Sequence, residues 1–190
     1  MTELLRTKSG GAPLSLSKGS PTGLCVLRVD WPASGGDVDA VAFVEEPGGA
    51  KHVLQPLDQN YGSLTAAPYV EHSGDKRAGG SEEIRFLCDP SKYRRILLWV
   101  FKYPNEALAR TSATATLAQP GGPQIVIDID AAPKGTKGLV IAEITSDGQT
   151  LVVVPPAADK TYFKPGWFSG THQDIDAAFG WGFNWTHGSK

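Results

Sequence analysis

Residues 95–103 read Arg95-Ile96-Leu97-Leu98-Trp99-Val100-Phe101-Lys102-Tyr103. Neighbouring side chains of an extended chain point to opposite faces. The unbroken apolar stretch from Ile96 to Phe101 therefore leaves neither face polar, and a strand of this kind is buried between two layers. The segments around it alternate instead. Cys25, Leu27, Val29 and Trp31 take every second position of one run, which is strand periodicity. Residues 32–36 break that run. A second apolar run, 38–44, is closed by Glu45-Glu46-Pro47-Gly48-Gly49. Shorter strand signals follow at 51–57 and at 84–87, directly after a polar stretch. Others lie at 111–117 and at Ile125, Ile127 and Ile129. Residues 139–144 and 151–154 form a hairpin across Ser146-Asp147-Gly148.

This is a mainly β pattern of about eight strands, and the architecture it predicts is an antiparallel β-sandwich. One helix signal stands late in the chain. Thr171, with Asp174 three residues on, reads as a capping box, Ile175 and Phe179 lie one turn apart, and Gly180 ends the helix. The chain is predicted to have a flexible leader at 1–13, a β-sandwich domain at 14–155 and an aromatic C-terminal extension at 156–190 packed on the domain.

Composition agrees. The chain has 190 residues, 41% hydrophobic and 20% charged, enough for a sizeable core in one domain. Its 22 Gly and 14 Pro argue against a helical bundle. A net charge of -2 argues against a nucleic-acid binder. No apolar run is long enough to span a membrane, and the N-terminal residues lack the core of a signal peptide. The expected address is the cytoplasm. Cys25 and Cys88 have no CxxC partner, and both sit in apolar runs. They are expected to be two reduced, buried thiols.

Catalytic templates are missing: there is no G-x-S-x-G, no H-E-x-x-H, no phosphate loop and no G-x-G-x-x-G after a strand. His52, His72, His172 and His187 have no ligand spacing, so the chain is expected not to be an enzyme. What remains are carboxylates in glycine-rich loops. Asp37 and Asp39 share a face of a strand, where two carboxylates repel unless a cation or base sits between them. The loop at 72–83 adds Asp75, Ser81, Glu82 and Glu83. Hard oxygen donors in a glycine loop suit calcium. Read as residues alone, the same groups serve equally as solvated turn residues, a polar strand entry, or a turn cap beside Lys76 and Arg77.

Several stretches resemble, in order, the TerD-type tellurium-resistance and stress-response family. Leu16-Ser17-Lys18-Gly19 resembles its L-x-K-G, and residues 27–31 its strand ending in G-W-D, with Asp30 before Trp31. Residues 36–43, Gly-Asp-Val-Asp-Ala-Val-Ala-Phe, resemble its D-L-D-A-S-A-F. His72-Ser73-Gly74-Asp75-Lys76-Arg77-Ala78-Gly79 resembles H-x-G-D-N-R-T-G, and Glu82-Glu83-Ile84 resembles D-E-x-I. The resemblance covers roughly residues 14–120 well. It implies a calcium-binding, non-catalytic sandwich acting with protein partners of a stress-response complex. Carried over by position, the ligands are Asp37, Asp39, Asp75, Glu82 and Glu83, with the backbone carbonyl of Lys76. The family's second acidic loop shrinks here to Ala78-Gly79-Gly80-Ser81-Glu82-Glu83, and Lys76 and Arg77 add repulsion. The resemblance therefore implies one Ca²⁺ site at most. The alternative is a metal-free interaction or structural module that uses its aromatic end. That end holds Tyr162, Phe163, Trp167, Phe168, Phe179, Trp181, Phe183 and Trp185.

Overall fold

A computed structural model describes residues 4–5, 14–16, 23–119, 122, 124–165 and 170–185. In chain order the elements are β1 (Leu4–Leu5), β2 (Leu14–Leu16), β3 (Leu24–Trp31), β4 (Asp37–Glu45), β5 (Lys51–Leu54), β6 (Gly62–Ser63), β7 (Val70–His72), β8 (Gly80–Leu87), β9 (Arg95–Tyr103), β10 (Thr114–Ala118), β11 (Gln124–Asp128), β12 (Gly138–Ser146), β13 (Leu151–Val154), β14 (Tyr162–Phe163) and the helix α1 (Thr171–Phe179). One sheet runs β1-β11-β10-β3-β8-β7-β6. The other runs β2-β13-β12-β9-β4-β5, with β14 beside one end of β12. Neighbours are antiparallel apart from the two-residue β1, which lies parallel to β11. The fold is the expected mainly β sandwich with one short C-terminal helix. Most of the leader assigned to residues 1–13 lies outside the described residues, as do Ser17–Gly19 of the L-x-K-G stretch, Trp167 and Phe168.

The core between the sheets is built by alternation. Cys25, Leu27, Val29 and Trp31 of β3 and Ile84 and Phe86 of β8 meet Val38, Ala40, Ala42 and Val44 of β4 and Ile96, Leu98 and Val100 of β9. In β12 the pairing slips between Val140 and Ala142, so that Ile141 and Ala142 both join this core while Val140 faces the other way. The opposite faces of β4 and β9 are equally apolar: Val41, Phe43, Leu97, Trp99 and Phe101, joined by Val140, form a second cluster. The C-terminal segment covers it.

Ile175 of α1 and Trp181 are fully buried on this face, with Phe163, Phe179, Phe183 and Trp185 packed around them. Phe43 stands at the centre, its ring 5.0 to 5.7 Å from those of Trp99, Trp181, Phe183 and Trp185. Polar contacts hold the segment down. The carboxylate of Asp176 accepts from the backbone N–H groups of Gly182 and Phe183 and from Trp185 Nε1. Arg95 donates to the carbonyls of Phe179 (2.9 Å) and Gly180 (3.3 Å) and lies 4.0 Å over the Trp181 ring. Lys51 Nζ donates to the Trp181 carbonyl.

Two local readings need correction. Thr171 does not cap α1: Gly170 is the N-cap, without a side-chain cap. The Thr171 hydroxyl instead donates to Asn105 Oδ1 at 2.6 Å, a tertiary bond that replaces the local one. Gly180, left-handed at φ 64, ends the helix as expected. Cys25 and Cys88 are not free thiols but a disulfide, with Cα atoms 5.9 Å apart. Cys25 lies opposite Phe86 in the β3–β8 ladder, so Cys88, two residues further on, reaches it diagonally. The hairpin turn at 146–148 is as read: Asp147 Oδ1 accepts from the N–H groups of Gln149 (2.8 Å) and Thr150 (2.7 Å).

His172 lies inside the aromatic layer, its ring 4.7 Å from Trp99 and 4.9 Å from Phe101, and its Nε2 pairs with Gln55 Oε1 at 2.7 Å. Burial pushes its pKa down to about 4. Between the ordinary value near 6.5 and about 4, the unfolded chain takes up a proton that the folded chain refuses. Stability is then expected to fall as pH drops through that window, by on the order of 3 kcal/mol. Urea melts across pH should show this slope in the wild type and lose it in His172→Gln, which keeps a donor for Gln55 and does not titrate. Trp181→Ala should cost about 3–5 kcal/mol in the same melts, because the ring it removes is fully enclosed.

Candidate metal centre

Asp37 opens β4 and Asp39 follows two residues on, so the period-two strand puts both on one face. The turn before them is fixed by Trp31, whose indole N–H donates to the Gly36 carbonyl at 2.8 Å. Gly36 has φ 83, and a Cβ there would stand 2.7 Å from Lys102 Cε, so no side chain fits without displacing Lys102. The loop between β7 and β8 brings Asp75 to the same place. Carboxylate oxygens of Asp37, Asp39 and Asp75 all lie within 4.8 Å of one another. Asp39 is completely buried.

The loop is held there by a buried carboxylate. β5 pairs only with residues 42–45 of β4. The backbone of the preceding stretch needs other partners along that edge. Glu82 Oε2 accepts from the N–H of Ala40 at 2.9 Å, and His72 Nε2 donates to the Ala40 carbonyl at 3.1 Å. Glu82 Oε1 accepts from the backbone N–H of Lys76 at 3.0 Å, and His72 Nε2 stands 3.3 Å from Glu82 Oε2. His72 Nδ1 accepts from the Gly74 N–H at 3.0 Å, which assigns the ring proton to Nε2. Both side chains are fully enclosed. Two residues thus tie the strand that carries Asp39 to the loop that carries Asp75. On the loop's far side Gly79, at φ 81, lies against the turn before Asp37, where a Cβ would meet Ala33 N at 2.4 Å.

Of the residues expected to hold a cation, the structure brings Asp37, Asp39 and Asp75 together. Glu82 is the clamp. Lys76 contributes its N–H to Glu82, and its side chain is exposed. Glu83 points to the other side of β8, where it pairs with Arg28 (3.2 Å) and Arg85 (2.6 Å). Asp30 belongs to that outer network too. Partial burial works against its ionisation, but bonds from Arg28 and Ser81 leave its carboxyl below the ordinary range. Histidine spacing carries no signal for the role of His72. The parity of β8 holds the signal for Glu82, which shares its face with the buried Ile84 and Phe86.

Three carboxylates this close repel one another, and the guanidinium of Arg77 answers them in part. Arg77 Nε donates to Asp75 Oδ2 at 2.7 Å, and the bond to Asp75, with its charge and that of Asp37, holds the guanidinium pKa above its ordinary value. The Arg77 side chain is 63% exposed, so it lies over the group rather than within it. The donor set is all oxygen, since both ring nitrogens of His72 are engaged elsewhere. Its chemistry fits one hard divalent cation, which takes carboxylate and carbonyl oxygens and water.

One curated relative is the "Tellurium resistance protein TerA" of Alcaligenes sp, 27% identical over 197 aligned residues. The alignment covers 93% of this chain. This chain is thus similar, at a divergent level, to a tellurium resistance protein. It spans 56% of that relative's length. No family model matches it, and no solved structure does. Among the described residues no helix is long and apolar enough to cross a membrane.

The two neighbouring glutamates of this domain make opposite predictions. Glu82→Ala leaves the buried N–H of Ala40 and the partly buried N–H of Lys76 without their acceptor and should cost about 2–3 kcal/mol. Glu83→Ala removes only partly exposed pairs and should cost under about 1 kcal/mol. Denaturant melts of the two variants would show whether the ranking holds.

Proposed function

We propose that this domain is a non-catalytic calcium-binding module of a tellurium-resistance and stress-response system. The observation that carries the reading is the convergence of Asp37, Asp39 and Asp75, from two separate segments, in a chain related to a tellurium resistance protein. Asp37, Asp39 and Asp75 hold the cation, with backbone carbonyls and water completing the shell. The cation's positive charge offsets the mutual repulsion of the three carboxylates. Asp37 and Asp39 belong to a strand paired along its whole length with β9. Asp75 belongs to a loop fastened at Lys76 and Gly74. Ligation therefore orders the loop against the sheet and presents its outer surface to a protein partner. Arg77 acts as a tethered competitor that keeps affinity modest.

The test is a thermal melt of EDTA-stripped protein with and without Ca²⁺, with Mg²⁺ as control. At about 100 times its Kd, a ligand stabilises by about 2.7 kcal/mol. In a chain of this size that raises Tm by about 5–10 °C. Asp39→Asn should abolish the rise, and Arg77→Ala should move its midpoint to lower Ca²⁺. A melt indifferent to Ca²⁺, or a rise that survives in Asp39→Asn, rejects the reading.

A further inference from the structure

We infer that the cleft between β11 and the β12–β14 ladder binds a small anionic amphiphile, a short alkyl chain that ends in a carboxylate or a phosphate ester. The sequence makes the opening. β13 pairs with β12 as far as Val154 opposite Glu143, and the next two residues, Pro155 and Pro156, have no N–H to continue the ladder. Pairing resumes with the Val140 N–H on the Thr161 carbonyl and Leu139 opposite Tyr162. Ile141 and Ala142 are left between the two, where the register of β12 against β9 also slips. An apolar cavity lies at this break, facing β11 of the other sheet. The buried Ile125, Leu139 and Val153 form its floor. Half-buried Ile127 and Pro155 and the exposed Tyr162 form its mouth. Among the described residues Tyr162 is the one large apolar side chain left exposed, at 37%. The cleft is separate from the aspartate cluster, because β12 and β4 have β9 between them.

A cationic end adjoins this apolar one. Lys164 follows Tyr162 by two residues, so alternation returns it to the same side, while Phe163 between them packs into the aromatic layer behind. The Lys164 Cδ lies 4.0 Å from where a Cβ would stand on Gly135, in the turn that carries Lys134. The Lys137 N–H donates to the Phe163 carbonyl at 2.8 Å, next to Lys164. Among the described residues none of these three lysines is in an ion pair. Like charges brought together across a ladder repel, and an anion seated among them removes that cost.

Charge complementarity thus selects the head of the ligand, and volume selects its chain. The cavity measures about 50 Å³. On that scale one water needs about 10–15 Å³, so the space takes a chain of a few methylenes and not a long acyl chain. With the chain in the cavity, past Tyr162, the head reaches the lysines at the end of β14.

The experiment titrates the full chain, in EDTA so that the outcome is independent of the cation reading, with butanoate, hexanoate, octanoate, hexyl phosphate and 1-hexanol. Binding is followed by methyl and amide NMR shifts. The expected result is a saturable response centred on Ile125, Leu139 and Val153 with hexanoate or hexyl phosphate, and the head that binds more tightly tells a free acid from a phosphate ester. Two further methylenes that enter the cavity should tighten binding about 15-fold, levelling off once it is full. 1-Hexanol should bind about fivefold more weakly than the better anion. Lys137→Gln/Lys164→Gln, which alters only surface side chains, should bring the anions down to the level of the alcohol. Shifts that never saturate, or that spread over the surface with every probe, overturn the inference. So do an alcohol bound as tightly as both anions and a double lysine variant that binds the anions as the wild type does.

Discussion

Strand β9 has no face to give to water. Ile96, Leu98 and Val100 point between the sheets, while Leu97, Trp99 and Phe101 point the other way. Left open, that second face is a contiguous aromatic patch of the size that drives association. The sandwich must therefore be three layers deep at this point, and the third layer comes from the end of the chain. Its helix buries little by itself. It is held because Trp181 fills the space above Phe43, and because Arg95, Lys51 and Asp176 bond the backbone around it. Among the described residues, Phe163, Phe179, Trp181, Phe183 and Trp185 are committed inward for the same reason.

The same sheet positions the carboxylates. Asp37 and Asp39 continue the face of Val41 and Phe43 along β4, beyond the point where β5 stops pairing. An edge so exposed needs partners for its backbone, and Glu82 and His72 provide them. A buried carboxylate that accepts from two segments is a fastener in a low-dielectric setting, where each bond is strong and each missing bond costly. That accounts for the division of labour between adjacent glutamates. Glu82 builds the site from behind, and Glu83 joins the Arg28 and Arg85 network on the outside. The cluster is set by this fastening as much as by its own three aspartates.

A disulfide between β3 and the end of β8 encloses both the fastener and the cluster. It restricts the unfolded chain over the whole segment that carries the acidic loop, and so adds to the stability of the fold that assembles the cluster.

The strands around β9, the hairpin at 146–148 and the end of α1 at Gly180 were legible because each rests on a local rule: alternation with period two, an Asx turn, a left-handed glycine. The pairing of Asp37 with Asp39 on one face was legible for the same reason. Two- and three-residue strands such as β6 and β7 were not, since so few residues carry no period. Thr171 was misread as a cap because its hydroxyl finds Asn105, 66 positions away. Cys25 and Cys88 were misread as separate thiols because the register that places them together is a property of the β3–β8 ladder. By itself, then, the sequence determined a two-sided buried strand, an antiparallel sandwich and an acidic pair on one face. Tertiary structure alone decided which glutamate turns inward to bind backbone, that Glu82 fastens the site instead of joining it, and that the two sulfurs meet. Those outcomes depend on contacts between residues tens of positions apart, and no local period encodes them.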